Sequence, residues 1–213
     1  MTVGRQGILA WLESLRETYS EKRQLLTDLD SAIGDADHGI NMDRGFSAVM
    51  AELDSNALPD VQSILHTAAM VLIRTVGGAS GPLYGTFFLR AAATCAGKTE
   101  LSSPDVVALF QAGIDGVRQR GKAEPGDKTM VDALMPALAA MQEQLKQGGS
   151  LEGIVEAGAA AAEAGMLGTV PLQARKGRAS YLGPRSIGRQ DPGATSSWLL
   201  IRAAAGAWRG RTA

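Results

Sequence analysis

Ile8-Leu9-Ala10-Trp11-Leu12-Glu13-Ser14-Leu15-Arg16-Glu17-Thr18-Tyr19 sets apolar side chains at 8, 12, 15 and 19, with charged residues between them. Steps of three and four residues put those side chains on one stripe of an α-helix, whereas a strand would need strict alternation. The pattern continues through Leu25, Leu26 and Leu29 towards Ile33, and the spacing predicts one long helix over 8–33, kinked near Ser20. Further helices are predicted over about 39–53, 61–76, 82–96, 104–120, 129–147, 150–172 and 194–209. Ser103-Pro104-Asp105 places proline at a first helical position, and Gly148-Gly149 separates two helices before Ser150. Alternation is nowhere sustained, so strand signals are weak. Eight helices with short connections make an all-α antiparallel bundle, with neighbours in the chain packed side by side.

Outside this pattern, Gly34-Asp35-Ala36-Asp37-His38-Gly39-Ile40-Asn41 is the densest cluster of chemistry. Asp30 adds a third carboxylate just upstream. Two unit charges 4 Å apart repel by about 4 kcal/mol under the screening typical of a protein surface. A hard cation such as Mg²⁺ or Ca²⁺ removes that cost through oxygen ligands. The spacing equally suits a solvated acidic turn. An EF-hand starting at Asp35 fails, because Ile40 and Phe46 stand where Gly and Glu are needed. One cysteine (Cys95) and two histidines (His38, His66) are too few for a zinc site. Mg²⁺ takes few protein carboxylates and borrows further oxygens from substrate phosphates, so a phosphate cradle is expected nearby.

Several breaks between helices have the required character. Gly77-Gly78-Ala79-Ser80-Gly81-Pro82, the segment 121–129 and Asp191-Pro192-Gly193-Ala194-Thr195 each feed a helix, as does His38-Gly39-Ile40-Asn41. A glycine-rich turn entering a helix offers free N–H groups and the positive dipole end to an anion. In an up-and-down bundle, alternate connections share an end, so these breaks are expected to face one another. The segment 173–193 carries Arg175, Lys176, Arg178, Arg185 and Arg189 among four glycines and two prolines. It reads either as a lid over an anion or as a solvated loop. Lys128 and Arg185 are expected to be solvated, and His66, in an apolar run, to be structural.

Hydrophobic residues make up 45% of the 213 residues and charged ones 20%, a globular balance. The net charge of −1 argues against general nucleic-acid binding, although 175–211 holds eight Lys or Arg against one acid. No stretch has the ~18 uncharged apolar residues of a membrane span. A single cysteine and charges spread through 1–20 point to a cytoplasmic protein. No repeat or domain boundary stands out, and 1–213 reads as one domain. Walker A, protein-kinase and Rossmann motifs are all missing from the sequence.

Five blocks together carry a resemblance: 33–41 with Met42 and Arg44-Gly45-Phe46; 76–83 with Gly85-Thr86-Phe87-Phe88; 120–130; 173–183; and 191–195. With these the chain resembles the nucleotide-binding L subunits of bacterial dihydroxyacetone kinases. The resemblance implies an eight-helix antiparallel barrel with a nucleotide at one end. It implies that Asp30, Asp35 and Asp37 hold Mg²⁺, two ions by expectation, bridged to the phosphates. Nucleotide contacts would fall on His38, Gly39, Ile40, Asn41, Ala79, Ser80, Gly121, Met130, Arg178, Asp191, Pro192 and Gly193. No catalytic side chain is implied on this chain, because phosphoryl transfer asks chiefly for positioning and charge neutralisation. The implied partners are a dihydroxyacetone-binding K subunit and a phosphocarrier M subunit that recharges bound ADP. An ATP-dependent ketose kinase and a nucleotide-sensing regulatory module are the competing readings. His38 is expected to contact ligand rather than to carry phosphate.

Overall fold

The computed structural model describes residues 2–56 and 58–210. Among the described residues nine α-helices are formed: α1 (Arg5–Glu21), α2 (Arg23–Ile33), α3 (His38–Asp54), α4 (Val61–Thr75), α5 (Ser80–Thr94), α6 (Ser103–Gly121), α7 (Met130–Lys146), α8 (Leu151–Gly168) and α9 (Pro192–Trp208). The expected long first helix is interrupted at Lys22, close to the anticipated kink, so α1 and α2 follow one another almost without a gap. Each helix from α3 to α9 packs on its chain neighbours, and α9 returns to α1 while α1 also meets α3, which closes the ring. The all-α antiparallel barrel is therefore the fold. Among the described residues, strand structure is confined to Val3–Gly4 paired antiparallel with Glu100–Leu101.

Boundary chemistry accounts for most helix starts. Ser102 and Asp105 form a reciprocal capping box on α6, with Pro104 in the first turn, and Thr129 and Asp132 do the same on α7. Asp60 and Ser150 accept N–H groups at the starts of α4 and α8. Helix α8 ends at Gly168, earlier than expected, and 169–191 folds into a connection containing a 3-10 helix, Arg178–Ser186, broken at Gly183.

The barrel interior is filled by an aromatic cluster in which Trp11 touches Phe88, Phe110 and Trp208 at centroid distances of 5.5–5.6 Å. Indole N–H groups close the ring: Trp11 Nε1 donates to Leu200 O at 3.1 Å and Trp208 Nε1 to Gly7 O at 2.9 Å. Small residues on α8 let it approach its neighbour closely. A Cβ at Gly165 would lie 2.1 Å from Asp132 O and one at Gly158 2.4 Å from Met141 Cε, so α7 and α8 approach through glycine. His66 departs from its structural reading: it is exposed on the outer face of α4, because α4 buries Val61, Ile64, Leu65 and Ala68 instead.

Candidate functional site

Four helix N-termini, those of α3, α5, α7 and α9, converge on one cleft of about 270 Å³. His38, Ser80, Met130, Pro192 and Gly193 line it at those four starts. Positive dipole ends from four helices, with the N–H groups that their caps leave free, make its polar side suited to an anion. Leu83, Val117, Ala123, Met130 and Val131 line the cleft too and give it an apolar wall suited to a flat ring.

The acidic cluster lies beside those helix starts. Asp30, Asp35 and Asp37 bring one carboxylate oxygen each within 4.8 Å of one another. Asp30, buried near the end of α2, accepts Asp37 N–H at 2.9 Å and His38 N–H at 3.2 Å on Oδ2, which fixes its orientation. Its Oδ1 packs against Gly34, where a Cβ would sit 2.0 Å away, so only glycine fits there. Ala36 takes a left-handed conformation (φ 62°) between Asp35 and Asp37. That conformation costs a non-glycine residue about 1–2 kcal/mol and signals a constrained loop. An all-oxygen set of one buried and two exposed carboxylates fits a hard divalent cation that keeps water and shares ligands with phosphate.

Three further features complete the cleft. Arg178, at the start of the 3-10 helix, extends over the acidic loop and pairs with Asp35 at 2.9 Å. Lys176, Gly177 and Ala179 from the same connection line the cleft. Asp191, buried, caps α9 by accepting Ala194 N–H at 2.7 Å, and burial pushes its carboxyl up to about 7. His38 is buried as well, and the loss of solvent lowers its pKa, opposed by Asp30 and Asp37. Both its ring nitrogens are engaged: Nε2 lies 2.8 Å from Ser196 Oγ and Nδ1 3.1 Å from Ser80 Oγ.

Of the residues expected to contact nucleotide, His38, Ala79, Ser80, Gly121, Met130, Arg178, Asp191, Pro192 and Gly193 line the cleft. Gly39, Ile40 and Asn41 do not line it. Gly39 lets α3 close on α2, since a Cβ there would lie 2.0 Å from Arg23 O. Asn41 Oδ1 accepts from Arg44 Nη2 at 2.6 Å and backs Gly77. Ile40 is exposed.

The solvated reading of Lys128 is wrong. The side chain is 1% exposed, and its ammonium donates to Thr169 O at 2.7 Å, Leu172 O at 3.1 Å and also Arg189 O. Those carbonyls lie at the two ends of the 169–191 connection, and one cation ties them together. Arg185 is exposed, as expected. Thr129, at the end of the expected 121–129 cradle segment, lines the cleft, whereas sequence reasoning passed over Tyr84 and Ser196, which bond one another next to His38.

A model of the DAK2 domain family matches residues 32–206. The chain is 46% identical over 202 residues to the ADP-binding subunit DhaL of the PEP-dependent dihydroxyacetone kinase of Escherichia coli K12, covering 95% of this chain and 96% of that protein. It is 42% identical over 193 residues to the ADP-binding subunit DhaL of the PTS-dependent dihydroxyacetone kinase of Lactococcus lactis, covering 91% and 92%. The crystal structure of the dihydroxyacetone kinase of C. freundii in complex with AMP-PNP and Mg²⁺ superposes with a TM-score of 0.70 at 27% identity. That match covers 92% of this chain but 33% of the kinase, so the chain spans about a third of that protein. The agreement of a family model over most of the chain with near full-length relatives of the same kind places it: the chain belongs to the DAK2 domain family.

Proposed function

We propose that this chain is the nucleotide-binding subunit of a dihydroxyacetone kinase and that residues 1–213 act as one domain. The observation that carries this reading is the meeting of four helix N-termini and a three-carboxylate cluster in a single cleft. That combination asks for a ligand bearing both phosphates and divalent metal. ADP held with Mg²⁺ in this cleft would supply the acceptor and donor of the transferred phosphoryl group.

The residues of the chain have separable tasks. Asp30, Asp35 and Asp37 would hold Mg²⁺, two ions in our reading. The N–H groups at the starts of α3, α5, α7 and α9, with Ala79, Ser80, Asp191, Pro192 and Gly193, would orient the phosphates. Arg178 would neutralise phosphate charge once Asp35 turns to metal. Leu83, Gly121 and Met130 would flank the base. Gly39, Ile40 and Asn41 would act by shaping the first turn of α3. No side chain here is asked to form a covalent intermediate, in keeping with transfer by positioning and electrostatics.

Near full-length relatives named as PEP- and PTS-dependent support a phosphocarrier M subunit as donor and a K subunit as the holder of dihydroxyacetone. In this reading the chain works in the cytoplasm. Protein purified without added nucleotide, then denatured and examined by mass spectrometry, should release one equivalent of ADP. Reconstitution with K and M subunits should then phosphorylate dihydroxyacetone from phosphoenolpyruvate through the carrier. Turnover from ATP with K alone, and an empty site on purification, would move the assignment to an ATP-dependent ketose kinase. Binding of ADP without any turnover would leave a nucleotide-sensing module.

A further inference from the structure

The outer face of α4, α5 and α6 carries a groove of about 550 Å³ that shares no lining residue with the cleft. Each helix gives it one stripe: Gln62 and His66 from α4, Leu89 and Arg90 from α5, Gln119 and Arg120 from α6. A Cβ at Gly116 would lie 2.8 Å from Arg90 Cγ, so the Arg90 stem rests against the backbone of α6. The α4 stripe continues through Met70 and Ile73. Ile73 fills the space of a side chain at Gly85, where a Cβ would lie 2.3 Å from its Cγ1. Met70, Ile73 and Leu89 are 40%, 41% and 37% exposed, so apolar surface adjoins the arginines.

Charge on this face has one sign. Residues 61–99 contain no Asp or Glu, in a chain with 22 acids. Within that stretch Arg74 pairs with Glu52 of α3 and Lys98 with Asp105 of α6. Among the described residues neither Arg90 nor Arg120 has an ion pair, and Asp115, beside Gly116 in sequence, is outside the lining. Exposed Arg and Met among apolar side chains, with Asp, Glu and Lys scarce, is the composition of a protein interface. The two guanidiniums ask for carboxylates, which they hold through paired N–H bonds. A second copy does not supply them, because an isologous contact sets this face against itself. No aromatic ring lines the groove to stack the bases of a nucleic acid. The stripe from Gln62 to Ile73 is about 16 Å long, the dimension of a transient contact rather than a permanent one.

We propose that this face transiently docks a protein partner whose carboxylates flank an apolar patch, with Arg90 and Arg120 as the anchors. Arg120 directly precedes Gly121 of the cleft lining, so a partner seated here stands beside the site. The proposal rests on the kinase-subunit reading for the proteins to try, the K and M subunits of the same organism. Each is titrated against fluorescently labelled, ADP-loaded protein at low and at physiological salt. With one of them Arg90→Glu should weaken association about tenfold, and the unsubstituted pair should weaken as salt rises. Gln119→Glu adds a carboxylate to the groove without disturbing a packed stem and should weaken the same pair. ADP affinity and the helical circular dichroism should stay those of the unsubstituted protein, which separates docking from folding. Association that both substitutions leave unchanged overturns this proposal alone. A concentration-dependent dimer that Met70→Glu dissociates assigns the face to a second copy and overturns it too. If neither subunit associates with the unsubstituted protein, the kinase-subunit reading falls and takes this proposal with it.

Discussion

Arg178 Nη2 sits 2.9 Å from Asp35 Oδ2, so the connection between α8 and α9 is tied to the acidic loop between α2 and α3 by one ion pair. Both side chains are substantially exposed, and such a pair contributes about 0.2–1 kcal/mol to stability. Its interest is positional, because it keeps a guanidinium at the mouth of an anion site. Arg178→Ala should leave the melting temperature within a degree or two. It should weaken ADP binding about tenfold, the loss of roughly 1.4 kcal/mol, in calorimetric titration with Mg²⁺ present. Arg178→Lys should recover only part of this, since an ammonium lacks the bidentate fork.

Lys128 has the opposite character: it borders the cleft, but its ammonium is spent on backbone carbonyls and its role is structural. Lys128→Met keeps the volume but takes a charged donor from the carbonyls at the base of the 169–191 connection, of which Thr169 O keeps the Leu172 N–H at 3.1 Å. Breaking such a buried charged cluster costs about 3 kcal/mol or more. For a chain of this size that corresponds to a drop in melting temperature of roughly 10 °C, measurable by calorimetry. Limited proteolysis should cut first within 173–190. A melting temperature equal to that of the unsubstituted protein would show that the carbonyls find water unaided.

Asp191 gives the metal-free protein a pH dependence of definite sign. Its carboxyl titrates near 7 in the folded protein and at the ordinary 3.8 when unfolded. The folded state therefore binds the extra proton between those values. The contribution to stability is fully present below about pH 4 and is lost as pH rises through 7. Asp191→Asn keeps an acceptor for the α9 cap and removes the titration. Urea unfolding in EDTA from pH 4.5 to 8 should show a decline that the Asn variant lacks.

The barrel was legible because its helices obey one rule. Stripes such as Ile8, Leu12, Leu15 and Tyr19 and breaks such as Gly148-Gly149 fix type and approximate extent. Boundaries moved by a few residues where tertiary contacts decide them, as at Gly168, where the chain leaves α8 to meet Lys128. The cleft was legible in part because glycine-rich helix starts and clustered carboxylates are local signals. Lys128 was misread for a physical reason: its partners are carbonyls some 40 to 60 residues away, and backbone acceptors leave no mark in a sequence. Tyr84 and Ser196 were equally invisible, since a tyrosine and a serine inside helices look alike whether they face core or a histidine. Gly39 and Asn41 show the converse, residues inside a recognised block that pack against α2 and Gly77 and do not line the cleft.

Gly34 separates recognition of metal from stability of the fold. A Cβ there would fall 2.0 Å from Asp30 Oδ1 and 2.8 Å from Asp30 Cγ, a collision with the carboxylate itself. Asp30 cannot retreat without losing the N–H groups of Asp37 and His38 that hold its other oxygen. Gly34→Ala should therefore turn Asp30 out of the cluster and leave only the two exposed carboxylates of the loop. Binding of Mn²⁺, followed by its electron paramagnetic resonance, should weaken at least tenfold, as when groups that orient a ligand are removed. The far-ultraviolet circular dichroism should stay that of a helical barrel, because the collision is confined to the α2–α3 turn. Mn²⁺ affinity equal to that of the unsubstituted protein would mean that Asp30 is no ligand and serves only to cap α3.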